Sequence, residues 1–336
     1  MRTVILYAIV ITSLLYSCKE DDPAIVETSG SKILIANEGN FGWGEGTLSI
    51  YYEDSETIED ELYSKKNNES LGNVFQSIAF INEQYFFVVN NSSKVVVANK
   101  ELDKIGEING LTSPRNIYQV SDNKAYITDL YANAISVLDL KSLKVIGSIP
   151  CNGHSEEGIV KDGIFWFTTP ETENIYAIDI TKDLISDSIN HIGWMPEGII
   201  QTKDENIWVL GRGDASRGKS ANLSVINSNL GYTVNQIEGT PTSLTYDSVS
   251  NCLYYLNNGI WKVDLNDPSD RGNLWIEDNN KVFYNLEVNP ANGDLYVSDV
   301  KDFVSKSTIY RFSKNKALLN EFKAGIIAGD FFFNAK

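Results

Sequence analysis

Short apolar runs separated by polar turn residues recur from residue 32 to residue 334. The runs at 85–91, 125–131 and 164–170 read YFFVVNN, AYITDLY and IFWFTTP, and a further apolar run follows each of them after a short polar break. Runs of this length, rich in β-branched and aromatic residues and bounded by Asn, Asp, Pro or Gly, are typical of β-strands joined by tight turns. We therefore predict an all-β chain.

The runs are organised in units of about forty residues, each marked by one apolar residue in its first predicted strand. This marker falls at residues 78, 117, 159, 199, 244, 286 and 331, with spacings of 39, 42, 40, 45, 42 and 45 residues. Each unit between about 73 and 325 holds four short strands, which is the pattern of a β-propeller blade. This range therefore predicts six complete blades.

The two ends of the chain supply complementary parts of a further blade. The runs at 32–38 and 47–53, with a polar segment near 58–65, match the second, third and fourth strands of a unit that lacks its first strand. The run at 326–334 matches a first strand alone. We predict a seven-bladed β-propeller of four-stranded antiparallel blades over residues 32–336, in which the N- and C-terminal strands join to close the ring. A β-helix or an open array, the alternative, would not leave complementary remainders.

The first residues have the features of a targeting signal. Arg2 precedes an apolar stretch from Val4 to Leu15, and Leu15-Tyr16-Ser17-Cys18 matches a bacterial lipobox. We predict a lipoprotein signal peptide at 1–17, lipidation of Cys18 and a tether over 18–31. The alternative is a plain secretory signal followed by an incidental cysteine.

Composition excludes several classes of function. Lys and Arg total 28 and Asp and Glu total 45, so the net charge is −17, which is unsuited to the phosphate backbone of nucleic acids. Three cysteines and two histidines are too few for a disulfide scaffold or a three-histidine metal centre. We expect Cys151 and Cys252 to be small apolar core residues, and we predict no required cofactor and no metal.

Several motifs resemble known propellers. Ala125-Tyr126-Ile127-Thr128-Asp129 is close to the motif of the YncE-like (YVTN-type) propellers. The opening runs 37–42 (NEGNFG) and 46–52 (GTLSIYY), with Pro-Glu-Gly-Ile at 196–199, resemble the Bacteroidetes surface lipoproteins classed as DUF5074. The cluster Lys19-Glu20-Asp21-Asp22 resembles the acidic export signal of such lipoproteins, and a solvated charge run is the alternative.

The resemblance implies a location and a function. It implies a lipid-anchored protein of the outer membrane, exposed at the cell surface. The best understood lipoprotein of this type, BtuG, binds cobalamin. The resemblance therefore implies capture of a small molecule, with cobalamin or another corrinoid as the candidate ligand, and delivery to a TonB-dependent transporter.

Propeller topology locates the candidate site. The turns that enter the first strand and leave the second strand of each blade lie on one face, where binding groups concentrate. The amides and charged groups expected there suit an amide-rich ligand, and the aromatics suit its apolar parts. About half of the Asn residues are expected to be turn formers instead. The candidate residues are Asn37, Glu38, Asn40, Phe41, Trp43, Asn90, Arg115, Asn116, Asp129, Tyr131, Trp194, Glu197, Arg212, Asn257, Tyr284 and Asp299.

We predict a protein that binds and is not an enzyme, but two alternatives stay open. Glu38, Asn90, Asn116 and Asp299 resemble in type the Glu, Asn and Asp set that holds a divalent metal in propeller lactonases, although fold analogy is a weak basis for function. A protein–protein scaffold at the cell surface is the other alternative. The long loop 211–218 is expected to protrude as a contact loop.

Overall fold

The computed structural model describes residues 31–267 and 270–334. The predicted signal peptide, the lipidated Cys18 and all but the last residue of the predicted tether lie outside the described residues. Within the described ranges, no helix is long and apolar enough to cross a bilayer.

More than half of the described residues lie in strands, and very few lie in helices. One short helix, α1 (Leu62–Asn67), and two 3-10 turns (Asn90–Ser92 and Ala215–Arg217) interrupt the strands. The strands are β1 (Lys32–Asn37), β2 (Thr47–Tyr52), β3 (Thr57–Glu59), β4 (Phe75–Ile81), β5 (Gln84–Val89), β6 (Lys94–Ala98), β7 (Lys104–Ile108), β8 (Pro114–Ser121), β9 (Lys124–Asp129), β10 (Ala134–Asp139), β11 (Lys144–Pro150), β12 (Gly158–Lys161), β13 (Ile164–Thr168), β14 (Ile175–Asp179), β15 (Leu184–Ile189), β16 (Pro196–Gln201), β17 (Ile207–Gly211), β18 (Ala221–Ile226), β19 (Tyr232–Ile237), β20 (Thr242–Asp247), β21 (Cys252–Leu256), β22 (Gly259–Asp264), β23 (Asn273–Glu277), β24 (Phe283–Val288), β25 (Leu295–Asp299), β26 (Lys306–Phe312), β27 (Leu318–Ile326) and β28 (Ala328–Asn334).

These strands form seven four-stranded antiparallel sheets arranged as a ring. Blade 1 has the order β28-β1-β2-β3, and blades 2 to 7 are built from β4–β7, β8–β11, β12–β15, β16–β19, β20–β23 and β24–β27. The first strand of each blade contacts the first strand of the next, and β24 contacts β28 to complete the circle. The predicted seven-bladed propeller with a composite closing blade is confirmed.

Blade 1 closes the ring by pairing the two ends of the chain. Strand β28 lies antiparallel to β1, with Phe331 opposite Ile35 and Phe333 opposite Ile33. Ile33, Ile35 and Phe331 are buried in one apolar cluster with Tyr296 of blade 7. The closing ladder therefore also forms the packing surface between blades 7 and 1.

Position within a blade decides how apolar each strand is. The middle strands are covered by neighbouring blades on both faces, and β21 (CLYYL) is buried at all five residues. The fourth strands lie at the rim, and β15 (LISDSI) exposes its first four residues. Continuous apolar runs therefore mark middle strands, and mixed polar sequences mark rim strands.

The polar segment at 58–65 differs from the prediction. Its fourth strand is only the three residues of β3, after which Glu61 adopts a left-handed conformation and α1 begins. Tyr63 of α1 is buried against Phe75 and Phe87 of blade 2 and donates a hydrogen bond to Glu69 Oε1 at 2.6 Å. Burial of this one aromatic side chain between blades 1 and 2 replaces the expected strand by a helical turn.

Strand direction defines two faces of the ring. First strands run away from the face that carries the loops into them, and second strands return to it. We call this face the loop face and the opposite one the turn face. Lys32, which starts β1, and Asn334, which ends β28, are paired with each other at the turn face.

The pairing of β28 with β1 should contribute strongly to the free energy of unfolding. Replacing Phe331, which is 4% exposed, by Ala removes a core aromatic and should lower the free energy of unfolding by about 3–5 kcal/mol. Chemical denaturation followed by tryptophan fluorescence measures this loss. The control, Phe41→Ala, removes a side chain that is 70% exposed and should leave the unfolding midpoint unchanged. Equal stability of wild type and Phe331→Ala would contradict the role given to this seam.

Candidate ligand-binding site

The loop face carries all connections between second and third strands. These connections are residues 38–46, 90–93, 130–133, 169–174, 212–220, 257–258 and 300–305. The longest two, 38–46 and 212–220, rise from blades 1 and 5. Together with the loops that enter the first strands, they surround the mouth of the central channel.

Polar side chains of the first strands and of the loops that enter them, together with Glu38 after β1, line this channel, and we call them the channel ring. Because they lie close to one another, charged groups of separate blades alter each other's pKa. Its members are Glu38, Gln76, Arg115, Glu156, Glu157, Glu197, Tyr284, Glu287 and Asp330.

Arg115 of blade 3 links three blades. Its Nε donates to Glu156 Oε2 of blade 4 at 2.6 Å, and a terminal guanidinium nitrogen donates to Gln76 Oε1 of blade 2. Its own backbone oxygen accepts from Ser77 Oγ at 2.7 Å. A charge-assisted fork of this kind holds the guanidinium in one orientation at the mouth. The neighbouring Asn116 donates weakly towards Glu157 Oε1 at 3.3 Å.

Glu38 and Tyr284 join the last and first blades at the mouth. The Tyr284 hydroxyl donates to Glu38 Oε1 at 2.9 Å. Burial raises the pKa of Glu38, while the Tyr284 hydrogen bond and the Arg115 charge partly offset this rise. The pair presents one hydroxyl and one carboxylate from opposite sides of the closing seam.

Three further carboxylates of the channel ring have pKa values raised above their ordinary range. Burial raises the pKa of Glu157 to about 7, of Glu287 to about 8 and of Asp330 to about 6. The negative charge of Asp330 adds to the rise at both glutamates. The Glu157 side chain is reached by solvent, and the negative charges of Glu156 and Asp330 add to the rise of its pKa. Thr245 Oγ1 donates to Glu287 at 3.0 Å, and the Ile78 backbone N–H donates to Asp330 at 2.9 Å.

The long loop of blade 5 folds over its own tryptophan. Lys219 Nζ lies 5.0 Å and the Arg217 guanidinium 5.7 Å from the Trp194 ring. Arg212 reaches inward and pairs with Glu197 Oε1 at 3.1 Å. The loop therefore brings Arg212 to the channel ring, whereas its other two cations partly cover Trp194 instead of extending outward.

Blades 3 and 4 contribute an exposed aromatic group. Tyr131 is 61% exposed, and its ring meets the His154 ring edge-on at 5.2 Å. His154 Nε2 lies 3.5 Å from Glu171 Oε1. This arrangement leaves the face of the Tyr131 ring accessible beside the mouth.

Five of the predicted residues stand where second strands end and bind backbone groups of nearby loops. Asp129 is the clearest case: its two oxygens accept from the backbone N–H groups of Thr112, Ser113, Tyr131 and Ala132 at 2.9–3.0 Å. The others are Asn37, Asn90, Asn257 and Asp299. These side chains hold the loops in place, and their polar atoms are engaged by the chain itself.

The four residues that resemble the metal ligands of propeller lactonases, Glu38, Asn90, Asn116 and Asp299, have two different roles in the structure. Asn90 donates to the Pro114 carbonyl at 3.0 Å, and one oxygen of Asp299 accepts from the Val282 and Lys301 N–H groups. Glu38 and Asn116 remain at the channel. Across the part of the chain that the structure describes, no group of three or more His, Cys, Asp or Glu residues lies close enough to hold a metal ion.

The loop 38–46 places its residues on two sides. Asn40 Nδ2 donates to the Phe303 carbonyl of blade 7 at 2.6 Å, and the Phe303 ring meets Tyr284 edge-on. Phe41 and Trp43 are 70% and 95% exposed at the tip. Trp43 borders a cleft on the blade 2 side, with Asn73 and Asn91, and so stands apart from the channel ring.

The list of candidate residues lacks five members of the channel ring, Gln76, Glu156, Glu157, Glu287 and Asp330, and it also lacks Asn73. Glu287 lies between Leu286 and Val288 in a first strand, and alternation alone places a polar residue at that position on the channel side. Asn73 lies in an irregular segment whose contacts with loop 38–46 depend on how blades 1 and 2 meet, so local pattern contains no signal for it.

A family model described as "Domain of unknown function (DUF5074)" matches residues 31–332. The chain belongs to the DUF5074 family. None of the curated proteins compared with this DUF5074 protein matches it.

Solved structures share the propeller fold with this DUF5074 protein. A quinonprotein alcohol dehydrogenase-like protein from Bacteroides thetaiotaomicron is 16% identical, with a TM-score of 0.72 over 91% of this chain and 79% of the other. A Lactobacillus plantarum protein is 11% identical, with a TM-score of 0.69 over 91% and 100%. Virginiamycin B lyase from Staphylococcus aureus is 14% identical, with a TM-score of 0.58 over 74% and 83%. At such identities the likeness establishes the fold alone.

The channel carboxylates should make folding pH-dependent. The unfolded chain loses these protons near the ordinary pKa values of 4.5 for Glu and 3.8 for Asp, whereas the folded ring keeps them to about pH 6–8. Because the folded ring holds these protons more tightly, their contribution to stability is full below about pH 4 and is lost progressively as the pH rises from there to about 8. The free energy of unfolding should be larger at pH 5.5 than at pH 8.

The variant Glu287→Gln should raise the free energy of unfolding at pH 8 and flatten its pH profile, measured by urea denaturation at each pH. A Glu101→Gln control, at an exposed residue, should keep the wild-type slope, and an unchanged slope in Glu287→Gln would refute this assignment.

Proposed function

We propose that this protein captures a small, amide-rich molecule at the mouth of its channel and delivers it to an outer-membrane TonB-dependent transporter. The observation that carries the proposal is the channel ring, in which donors and acceptors from several blades are held at one opening. Arg115 and Tyr284 are fixed by Glu156 and Glu38, so their positions are set before a ligand arrives.

A corrinoid fits this chemistry. Its peripheral amides both donate and accept hydrogen bonds, and the mouth offers carboxylates, amides and a guanidinium to pair with them. Tyr131 adds an exposed aromatic face for the apolar parts of the macrocycle. The family resemblance supports the same ligand class.

The proposal places the protein at the cell surface. The lipobox ending at Cys18 and the acidic run after it support a lipid anchor on the outside of the outer membrane. An anchored binder increases the local concentration of its ligand beside a transporter in the same membrane. A contact with the transporter would also make the protein a scaffold at the cell surface, so that alternative is compatible with this proposal.

A hydrolase is the second candidate, and one observation favours it. Desolvation and the nearby Glu156 and Asp330 charges raise the pKa of Glu157 to about 7, which suits a general acid or base near neutral pH. A lactone hydrolysis that Glu157→Gln abolishes, with Glu101→Gln active, would favour catalysis over capture.

Titration calorimetry with cyanocobalamin and cobinamide tests the capture proposal. We expect binding at micromolar concentration or tighter, because the groups at the mouth are already ordered. Tyr131→Ala and Arg212→Gln should each weaken binding about tenfold, since both side chains border the mouth and neither is buried in the core. Lys141→Gln, an exposed residue on the turn face, should bind as the wild type does. The absence of any heat change with both corrinoids would exclude this ligand class.

A further inference from the structure

The tip of loop 38–46 is a rigid platform that holds a tryptophan in solvent. Trp43 is 95% exposed, although its backbone N–H donates to the Asn40 carbonyl at 2.9 Å. The Gly44 N–H donates to the same carbonyl at 2.8 Å. An ordered loop that presents a fully exposed indole has the form of a contact surface, because exposing this side chain adds nothing to the core.

Asn73, which precedes the first strand of blade 2, fixes the loop from outside. Its Oδ1 accepts from the Gly42 N–H at 3.0 Å, and its Nδ2 donates to the Asn40 and Gly44 carbonyls. Asn91 donates to the same Oδ1 at 2.6 Å. The Asn73 amide therefore bonds to three residues of the tip. Because the loop is already ordered, a ligand that binds there pays little conformational entropy.

Beside this platform lies a shallow cleft of about 410 Å³ between blades 1 and 2. Its lining is Gly42, Trp43, Gly44, Glu45, Asn73 and Asn91. Trp43 is the one aromatic wall, and the rest is glycine backbone, two amides and one carboxylate. Glu45 is exposed and has no hydrogen bond or ion pair with any residue that the structure describes.

We propose that this cleft is a binding subsite for a neutral oligosaccharide. The C–H face of a pyranose ring packs on an indole, while its hydroxyl groups donate to a carboxylate and pair with amides. Here Trp43 supplies the indole, Glu45 the free acceptor and Asn91 the amide. The proposal does not rest on the corrinoid function, since the cleft lies on the blade 2 side of the loop.

Other ligand classes fit this lining less well. An anionic ligand would meet Glu45 with no cation in the cleft, and the chain as a whole carries a net charge of −17. A protein partner would need a set of apolar walls around a central anchor, whereas the cleft has one. A saccharide with an apolar C–H face and many hydroxyl groups needs one aromatic face and polar partners, and the cleft offers Trp43, Glu45 and Asn91 for these roles.

Calorimetric titration of the full-length protein with cellotetraose, maltotetraose and N,N′,N″,N‴-tetraacetylchitotetraose tests this subsite. We expect at least one to bind and to alter tryptophan fluorescence at concentrations up to about 10 mM, the range of a site with one platform. Trp43→Ala should weaken binding at least tenfold, Trp43→Phe should restore part of it, and Glu45→Gln should weaken it about threefold. Because Trp43 and Glu45 are exposed, these variants should fold as the wild type does.

Tyr232→Ala is the matched control, since it removes another exposed aromatic side chain from the rim of blade 5 and should leave saccharide affinity unchanged. Excess cyanocobalamin should also leave it unchanged, whether or not the corrinoid itself binds. The proposal is overturned if none of the three tetrasaccharides binds the wild type, if Trp43→Ala binds equally well, or if the corrinoid displaces the sugar.

Discussion

The antiparallel ladder between β28 and β1 is the interaction on which the rest of the molecule depends. A chain of blades has two open ends, and only the pairing of its last strand with its first turns those ends into one more packed interface. The same ladder sets the site, because Asp330 lies on β28 and Glu38 follows β1 directly. Backbone bonds from Glu38 and Gly39 to the carbonyls of Ile327 and Ile326, at 2.8 and 3.0 Å, continue the seam up to the mouth. Closure of the ring therefore also places these two channel groups.

The channel explains part of the acidic excess of the chain. Carboxylates from blades 1, 4 and 7 face one enclosed space, where burial and mutual repulsion favour protonation. Others are neutralised in place, as Glu156 is by Arg115 and Glu197 by Arg212. Several of these contacts cross from one blade to the next, so the polar lining also ties the first strands together. The formal charge of the sequence thus overstates the charge that the channel presents at neutral pH.

The fold could be predicted from the repeat, because every blade packs an apolar residue at the same position and this produces a regular spacing in the sequence. Ile78, Ile117 and Ile199 recur because each first strand needs an apolar side chain between blades, and the truncated units at the two ends follow from the same count. Side-chain roles were harder to predict. Asp129 and Asp299 have the type and position of ligand groups, yet a carboxylate that binds loop N–H groups looks the same in sequence. The α1 turn and the Asn73 clamp depend on how two blades meet, which no local pattern contains.

Both ends of the described chain leave the ring on the same side. Lys32 and Asn334 are partners in the ladder at the turn face, opposite the channel mouth. The 14 residues from Cys18 to Ser31 span at most about 50 Å when fully stretched. Under the proposed anchor, the tether joins the ring at its turn face, and the channel mouth lies on the opposite face. Under the same proposal, delivery to a transporter in that membrane requires the ring to reorient on its tether.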